Sequence, residues 1–181
     1  MEKISINDII QIVTKNVSDI IDFDILNKNR IFQIMCFSEK LEIIQKFLEE
    51  NKGIDIHDDH DHAFTVACSK KRWDVVKWLL KFPVDIHTNY DYAFTCACGD
   101  GNFEIVNLLM NIGKIDIQTE LDSPIFMACF NNHLDMAKWI YKKIIESGGK
   151  LKIDLVKDKE TMMMTNNESI RWLKSMLQQK K

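Results

Sequence analysis

Apolar residues recur along this chain in short groups, and the spacing of the groups is nearly constant. The dipeptide Asp-Ile marks the period, because it stands at 24–25, 55–56, 85–86 and 116–117, with Asp154–Leu155 following. The intervals between these marks are 31, 30, 31 and 38 residues. A fixed period of this length is typical of stacked supersecondary units. The chain is therefore predicted to form an array of repeats and not a single closed core.

Each repeat reads as a polar turn, a short helix, a break and a second helix. In residues 89–117, the pairs Ala93–Phe94 and Ala97–Cys98 lie four positions apart, which places them on one face of a helix. The segment 99–102 is Gly-Asp-Gly-Asn and ends that helix, since glycine favours caps and turns. A second apolar stripe, 105–110, predicts the second helix of the unit.

The same columns recur in the other repeats and give the predicted organisation of a single domain over residues 1–181. Its predicted repeats are 27–57, 58–87, 88–118 and 119–157. The second helix of the last repeat is expected to be extended and to stop at Gly148 and Gly149. The flanks 1–26 and 158–181 are predicted to be degenerate capping units, because terminal units cover the last apolar face while meeting water.

Composition and charge argue against several classes of partner. The chain has 181 residues and a formal net charge of -3, without the long basic stretch that phosphate binding needs. No run of about 18 apolar residues is present, so no membrane span is predicted. The first residues, MEKISINDIIQIV, have too short an apolar stretch for a signal peptide. We expect a cytoplasmic protein that binds neither nucleic acid nor membrane.

Four of the five cysteines occupy the same position in successive repeats: Cys36, Cys68, Cys98 and Cys129. Equivalent positions in stacked helices are expected about 10 Å apart. That separation is too large for a disulfide, which needs Cα atoms within about 7 Å. The cysteines are therefore predicted to be small buried apolar side chains.

The repeat unit resembles the ankyrin repeat. The string SPIFMAC at 123–129 is similar to that family's T-P-L-H-x-A string, and FEIVNLLM at 103–110 resembles its second helix. The resemblance is good over roughly residues 27–145 and implies an all-α solenoid of helix-turn-helix units. The period is shorter than the family's of about 33 residues, which predicts short, clipped turn fingers. The Thr-Pro pair is missing where His62–Ala63 and Tyr92–Ala93 stand.

The clipped unit and the abundance of Ile, Asn and Lys resemble the ankyrin arrays of giant amoeba-infecting viruses. That resemblance implies an adaptor that acts in the host cytoplasm, on a host protein partner, and performs no chemistry.

Residues His57 to His62, with the sequence HDDHDH, form the one cluster with metal-ligand character. A metal-binding protein that uses His57, His60 and His62 is therefore one alternative function. The alignment of repeats weakens it, because His57 corresponds to His87 and Gln118 and each histidine occupies a variable position at a turn. A self-associating structural subunit is the other alternative.

No Gly-rich phosphate loop, GxSxG string or Cys/His pair at a recognisable spacing occurs, so the chain is predicted to be no enzyme and to hold no cofactor. The predicted function is a protein-binding module, expected to be a monomer, that uses its turn tips and the outer side of its first helices. Tyr90, Leu121 and Phe130 are the expected anchors, since a few large side chains dominate interface energetics. The full set of predicted contact residues is Asp59, His60, Asp61, Lys70, Asn89, Tyr90, Asp91, Asp100, Glu120, Leu121, Phe130 and Asn131.

Overall fold

The computed structural model describes residues 28–115, 117, 124–149 and 167–178. The predicted capping unit 1–26 and the predicted contact residues Glu120 and Leu121 lie outside the described residues, and the predicted capping unit 158–181 is described only over 167–178.

Within these segments the chain forms helices and no strand, which confirms the all-α prediction for the part of the chain that is described. The helices are α1 (Lys28–Ser38), α2 (Leu41–Glu50), α3 (Asp58–Ser69), α4 (Trp73–Leu79), α5 (Thr88–Gly99), α6 (Phe103–Ile112), α7 (Pro124–Phe130), α8 (Leu134–Glu146) and α9 (Glu168–Gln178).

The helices are arranged as hairpins that stack in chain order. The first helices of the hairpins, α1, α3, α5 and α7, pack side by side. Each second helix packs on the first helix of its own hairpin, and α9 packs against α7 and α8. This arrangement is the repeat solenoid that the sequence predicts.

Both helix layers bury the apolar groups that the sequence pattern marks. The first helix α3 buries Ala63 and Phe64 and, one turn later, Ala67 and Cys68. The second helices contribute larger aliphatic side chains, such as Leu109, which is fully buried. Small side chains on the first helices let neighbouring hairpins approach closely, so each Phe is packed between two repeats.

The turns inside the α3–α4, α5–α6 and α7–α8 hairpins each have one residue in the left-handed region, at the same repeat position each time. These residues are Lys71 (φ 57°), Gly101 (φ 65°) and Asn132 (φ 63°). After α5, the Gly101 N–H donates to the Cys98 carbonyl at 3.1 Å and the Asn102 N–H donates to the Ala97 carbonyl at 2.9 Å. These two bonds form a Schellman motif, which satisfies the last carbonyls of the helix and fixes where the second helix begins.

Gly101→Ala is expected to destabilise the protein more than Gly148→Ala does. Both glycines have positive φ, 65° and 75°, so alanine costs about 1 kcal/mol of backbone strain at either position. A Cβ at Gly101 would also lie 2.6 Å from His133 Nδ1, whereas one at Gly148 meets nothing within 4 Å. We expect an additional loss of about 1–3 kcal/mol for Gly101→Ala, measured by urea unfolding. Equal losses for the two variants would contradict this packing.

The last two helices differ from the regular units. Helix α8 has 13 residues against 10 in α6, and it ends where the Gly149 N–H donates to the Ile144 carbonyl at 2.9 Å. Helix α9 begins after Asn167, whose side-chain oxygen accepts from the Ile170 N–H at 2.9 Å. The same cap occurs on α6, where the Asn102 side chain accepts from the Ile105 N–H. Helix α9 buries Ile170 against the preceding hairpin.

Candidate functional site

The turn tips that connect successive hairpins have an unusual backbone. Three consecutive residues, 59–61, have φ between 54° and 57°, and the equivalent residues 89–91 have φ between 53° and 58°. None of the six is glycine, and left-handed backbone costs such residues roughly 1–2 kcal/mol each. The regular parts of α3 and α5 therefore follow a left-handed turn, and contacts from elsewhere must hold each turn in place.

A buried aspartate at the end of each turn supplies those contacts. Asp61 is only 6% exposed, and its two carboxylate oxygens bond to His57 Nδ1 at 2.7 Å and to the Asp85 N–H at 2.8 Å. Asp91, also 6% exposed, bonds to His87 Nδ1 at 2.6 Å. The Asp61 carboxylate thus closes its own turn through the histidine and ties it to the next turn through the backbone.

The same tie begins one repeat earlier with a different side chain. Asn29 occupies the position of Asp61, and its side-chain oxygen accepts from the Asp55 N–H at 2.9 Å. The Asp55 and Asp85 carboxylates also accept from the backbone N–H groups of His57 and His87, at 2.9 Å each. Asp55 and Asp85 therefore each donate a backbone N–H to the preceding turn and accept, through the carboxylate, within their own turn.

The signal for this network was present in the sequence as the string Asp-Ile-His-x-x-x-Asp at 55–61 and again at 85–91. The alignment of repeats predicts that His57 and His87 occupy variable turn positions, whereas in the structure each bonds to an aspartate. Both histidines stabilise their turns. A spacing of four residues places each imidazole ring against the aspartate to which it bonds.

The predicted contact residues at the turn tips divide into exposed and buried ones. Asp59, His60, Asn89 and Tyr90 are exposed, and Tyr90 is 70% accessible. The carboxylates of Asp61 and Asp91 point into the network just described, so these two residues shape the tips instead of presenting a side chain outward. The tips together therefore expose one large aromatic ring among small polar groups.

The remaining described contact residues lie at the opposite end of the first helices. Lys70 Nζ stands 4.3 Å from the centroid of the Phe37 ring. Asn131 donates its amide to the Gly99 carbonyl at 2.5 Å, so this side chain joins two hairpins. Phe130 is 44% exposed and packs its ring on Phe126, with centroids 6.0 Å apart.

Asp100 is also used inside the array. It accepts from Trp73 Nε1 at 2.6 Å and pairs with Lys71 Nζ at 2.6 Å. Partial burial alone would raise the pKa of Asp100, but the hydrogen bonds from Lys71 and Trp73 outweigh it and hold the pKa below its ordinary value. The carboxylate is therefore kept ionised as a link between hairpins.

A row of half-buried apolar side chains runs between the two ends of the first helices. These side chains are not among the predicted contact residues. One side chain from each first helix contributes to it: Ile34, Val66, Cys96 and Met127. They recur at one repeat position, two residues before the buried cysteine of each first helix, so the periodic pattern could have identified them. We call this row, together with Phe37, Lys70, Phe130 and the exposed tip residues Asp59, His60, Asn89 and Tyr90, the first-helix face.

A cavity of about 300 Å³ lies between α1 and α3 on the first-helix face. Six residues line it: Arg30, Gln33, Ile34, Phe37, His62 and Val66. Ile34, Phe37 and Val66 supply the apolar lining, and Arg30 and His62 supply the charged or titratable side chains.

The histidines of the HDDHDH cluster point to different surroundings. His57 bonds to Asp61, His60 is exposed at the tip, and His62 lines the cavity. Over the described ranges, no three His, Cys, Asp or Glu side chains are grouped so that they could hold a metal ion.

Native protein is expected to take one maleimide label, at Cys96. Burial raises the pKa of Cys36 and of Cys129 to about 12, and burial also raises the pKa of Cys68 and Cys98. These thiols are therefore inaccessible and protonated, whereas Cys96 lies half-buried on the first-helix face. Mass spectrometry should show one label on the native wild type, none on Cys96→Ser, and five on the urea-unfolded wild type. Equal labelling of two or more thiols in native protein would contradict the packing.

The helices of the described residues include none that is both long and apolar enough to cross a membrane. Residues 74–150 match the family model described as "Ankyrin repeats (3 copies)". Curated proteins give no significant match to this chain.

Proposed function

We propose that this chain is a non-enzymatic adaptor that binds a protein partner through its first-helix face, because residues 74–150 match the model of the ankyrin-repeat family, whose repeats generally mediate protein binding. The partner contacts are assigned to the turn tips and to the exposed side of the first helices. The proposed contact residues are the predicted contact residues that the structure describes, together with the apolar row that includes Val66 and Cys96.

One observation carries this assignment: Tyr90 is a large aromatic side chain, 70% exposed, on a backbone turn that is fixed from beneath. The hydrogen bond between Asp91 and His87 holds that turn before any partner arrives. A ring on a rigid support loses little conformational entropy on binding, and exposed aromatic residues are the usual anchors of interfaces. Phe130 offers a second anchor at the far end of the same face.

The repeat boundaries, the compartment and the oligomeric state are proposed as the sequence predicts them. We assign the repeats to 27–57, 58–87, 88–118 and 119–157, with capping units at 1–26 and 158–181. We place the protein in the cytoplasm as a monomer, with a host protein as partner if its source is viral. Thiols that are not in disulfides, including the four buried ones, support a reducing compartment.

The test is affinity capture with wild type, a Tyr90→Ala/Phe130→Ala double variant and Ile145→Ala. Ile145 is the matched control, because it is a large apolar side chain that is 42% exposed on the second helix α8. Substitutions at such exposed positions change stability by about 0.5 kcal/mol or less, so melting temperatures should stay within about 2 °C per substitution.

A protein that wild type and Ile145→Ala retain, and that the double variant loses, would support the proposed site. Equal retention by all three forms would exclude the first-helix face as the binding site. Sedimentation of wild type at several concentrations tests the monomer separately, and a mass that rises with concentration would favour self-association.

A further inference from the structure

The cavity between α1 and α3 has the dimensions of a side-chain pocket and not of an extended groove. Its volume of about 300 Å³ lies at the lower end of ligand pockets, which is room for one or two large side chains. Ile34 and Val66 form its floor, and the 45% exposed ring of Phe37 forms one wall. Water that occupies such an apolar site is readily displaced by an apolar group.

The rim of the cavity is positive. Arg30 lines it, and its Nη1 donates to Gln33 Oε1 at 3.0 Å, while the guanidinium has five N–H donors in all. Lys70 stands over the Phe37 wall at 4.3 Å. None of the six lining residues is acidic. An incoming carboxylate would therefore meet two cations beside the apolar floor.

One carboxylate close to the cavity bonds to the lining residue Gln33. Asp58 accepts the Gln33 amide at 3.1 Å, and Gln33 is almost completely buried. The bond holds Asp58 behind the cavity wall, and the amide links Asp58 to Arg30 on the other side. Within the described residues, neither Arg30 nor Lys70 forms an ion pair with a carboxylate, so both cations can pair with a group from outside.

We propose that this cavity receives one large apolar side chain of the partner protein, and that a carboxylate next to that side chain binds Arg30 and Lys70. The inference rests on the proposed function and specifies the partner: a segment in which Leu, Phe or Trp is flanked by Asp or Glu. Charge-assisted bonds to Arg and Lys at a partly desolvated rim select for the acid, and the apolar floor selects for its neighbour.

The probes are short fluorescein-labelled peptides, Gly-Ser-Asp-Xaa-Asp-Gly-Ser with Leu, Phe or Trp at Xaa, and the same peptides with Lys in place of both Asp residues. Binding is measured by fluorescence anisotropy at low ionic strength, up to a protein concentration of about 1 mM, the weak end of measurable affinity. Wild type is compared with Arg30→Glu/Lys70→Glu and with Val66→Trp, which fills the cavity. The control, Lys46→Glu/Lys138→Glu, makes the same change of net charge on the second helices.

Wild type and the control are expected to bind the acidic peptides at least about tenfold more tightly than the basic ones, and added salt should weaken this preference. Arg30→Glu/Lys70→Glu should invert the preference, and Val66→Trp should remove binding of both sets. The charge variant involves exposed side chains, so it remains informative even if Val66→Trp fails to fold.

Equal binding of acidic and basic peptides to wild type, or no binding of either set, would overturn the proposal. So would an unchanged preference in the charge variant. The outcome is separable from that of the proposed function, because the capture experiment uses Tyr90 and Phe130. A partner lost with those two residues but retained by Val66→Trp and by the charge variant would leave the adaptor standing and remove the cavity from it.

Discussion

Phe94→Ala is expected to lower the free energy of unfolding by about 3–5 kcal/mol, the largest effect of any single substitution considered. Phe94 is fully buried on α5, the helix that packs against the first helices of both the preceding and the following hairpin. Its removal leaves a cavity at a junction that both neighbours share. Because a solenoid is stabilised by contacts between adjacent repeats, a defect in the middle of the array weakens two interfaces at once.

The measurement is urea unfolding followed by circular dichroism, with the melting temperature as a second readout. A loss of this size should lower the melting temperature by about 10 °C in a chain of this length. The matched control is Phe103→Ala, because Phe103 is 37% exposed and touches Trp139 edge-on with centroids 6.0 Å apart. That variant should lose only about 1 kcal/mol. Similar losses for both would mean that the junction around Phe94 is not the tightly packed core of the array.

The shape of the unfolding transition of Phe94→Ala would show which contacts the defect weakens. A transition that becomes broad or splits in two would indicate weaker coupling between the hairpins on either side of α5. Repeat arrays lose two-state behaviour when the coupling between neighbours falls, so the hairpins on either side of α5 would then unfold separately. A single transition with an unchanged slope would show that the remaining contacts still couple the two sides.

The fold could be predicted from the sequence because its determinants are periodic. Pairs such as Ala63–Phe64 and Ala67–Cys68 recur at one interval, so a single repeat interpreted correctly gives the others. The turn inside the hairpin was also accessible, since Gly101 marks it directly. Lys71 and Asn132 occupy the same left-handed position, and only the comparison of repeats connects them with that glycine.

The candidate site was harder to predict, because exposure depends on the direction of each side chain and not on its type. Asp59 and Asp61 look alike in the string HDDHDH, yet one is exposed and the other is buried in a hydrogen-bonded network. The left-handed backbone at 59–61 turns the two carboxylates in different directions, and no propensity argument predicts three such residues in succession. The apolar row through Val66 was overlooked for a related reason, since half-buried positions resemble core positions in the pattern.

Asp61→Ala is expected to lower the free energy of unfolding by about 2–3 kcal/mol and to loosen the turn tips. The substitution removes the acceptor of the Asp85 N–H and the partner of His57 in one step. It also releases residues that bear left-handed strain, so the turn at 59–61 should relax. Amide hydrogen exchange at Asp85 should then accelerate by the factor that corresponds to the loss of its acceptor, about tenfold for each 1.4 kcal/mol.

Two further variants separate the hydrogen bond from the charge. Asp61→Asn keeps an acceptor for the Asp85 N–H, as Asn29 already provides for the Asp55 N–H at 2.9 Å, and should cost only about 1 kcal/mol. Asp59→Ala, at the exposed neighbour, should change stability by about 0.5 kcal/mol or less. If Asp61→Ala proved as mild as Asp59→Ala, the turn would be held by its neighbours and not by this carboxylate. If Asp61→Asn proved as severe as Asp61→Ala, the bond between the carboxylate and His57, more than the link to the next turn, would hold the turn at 59–61.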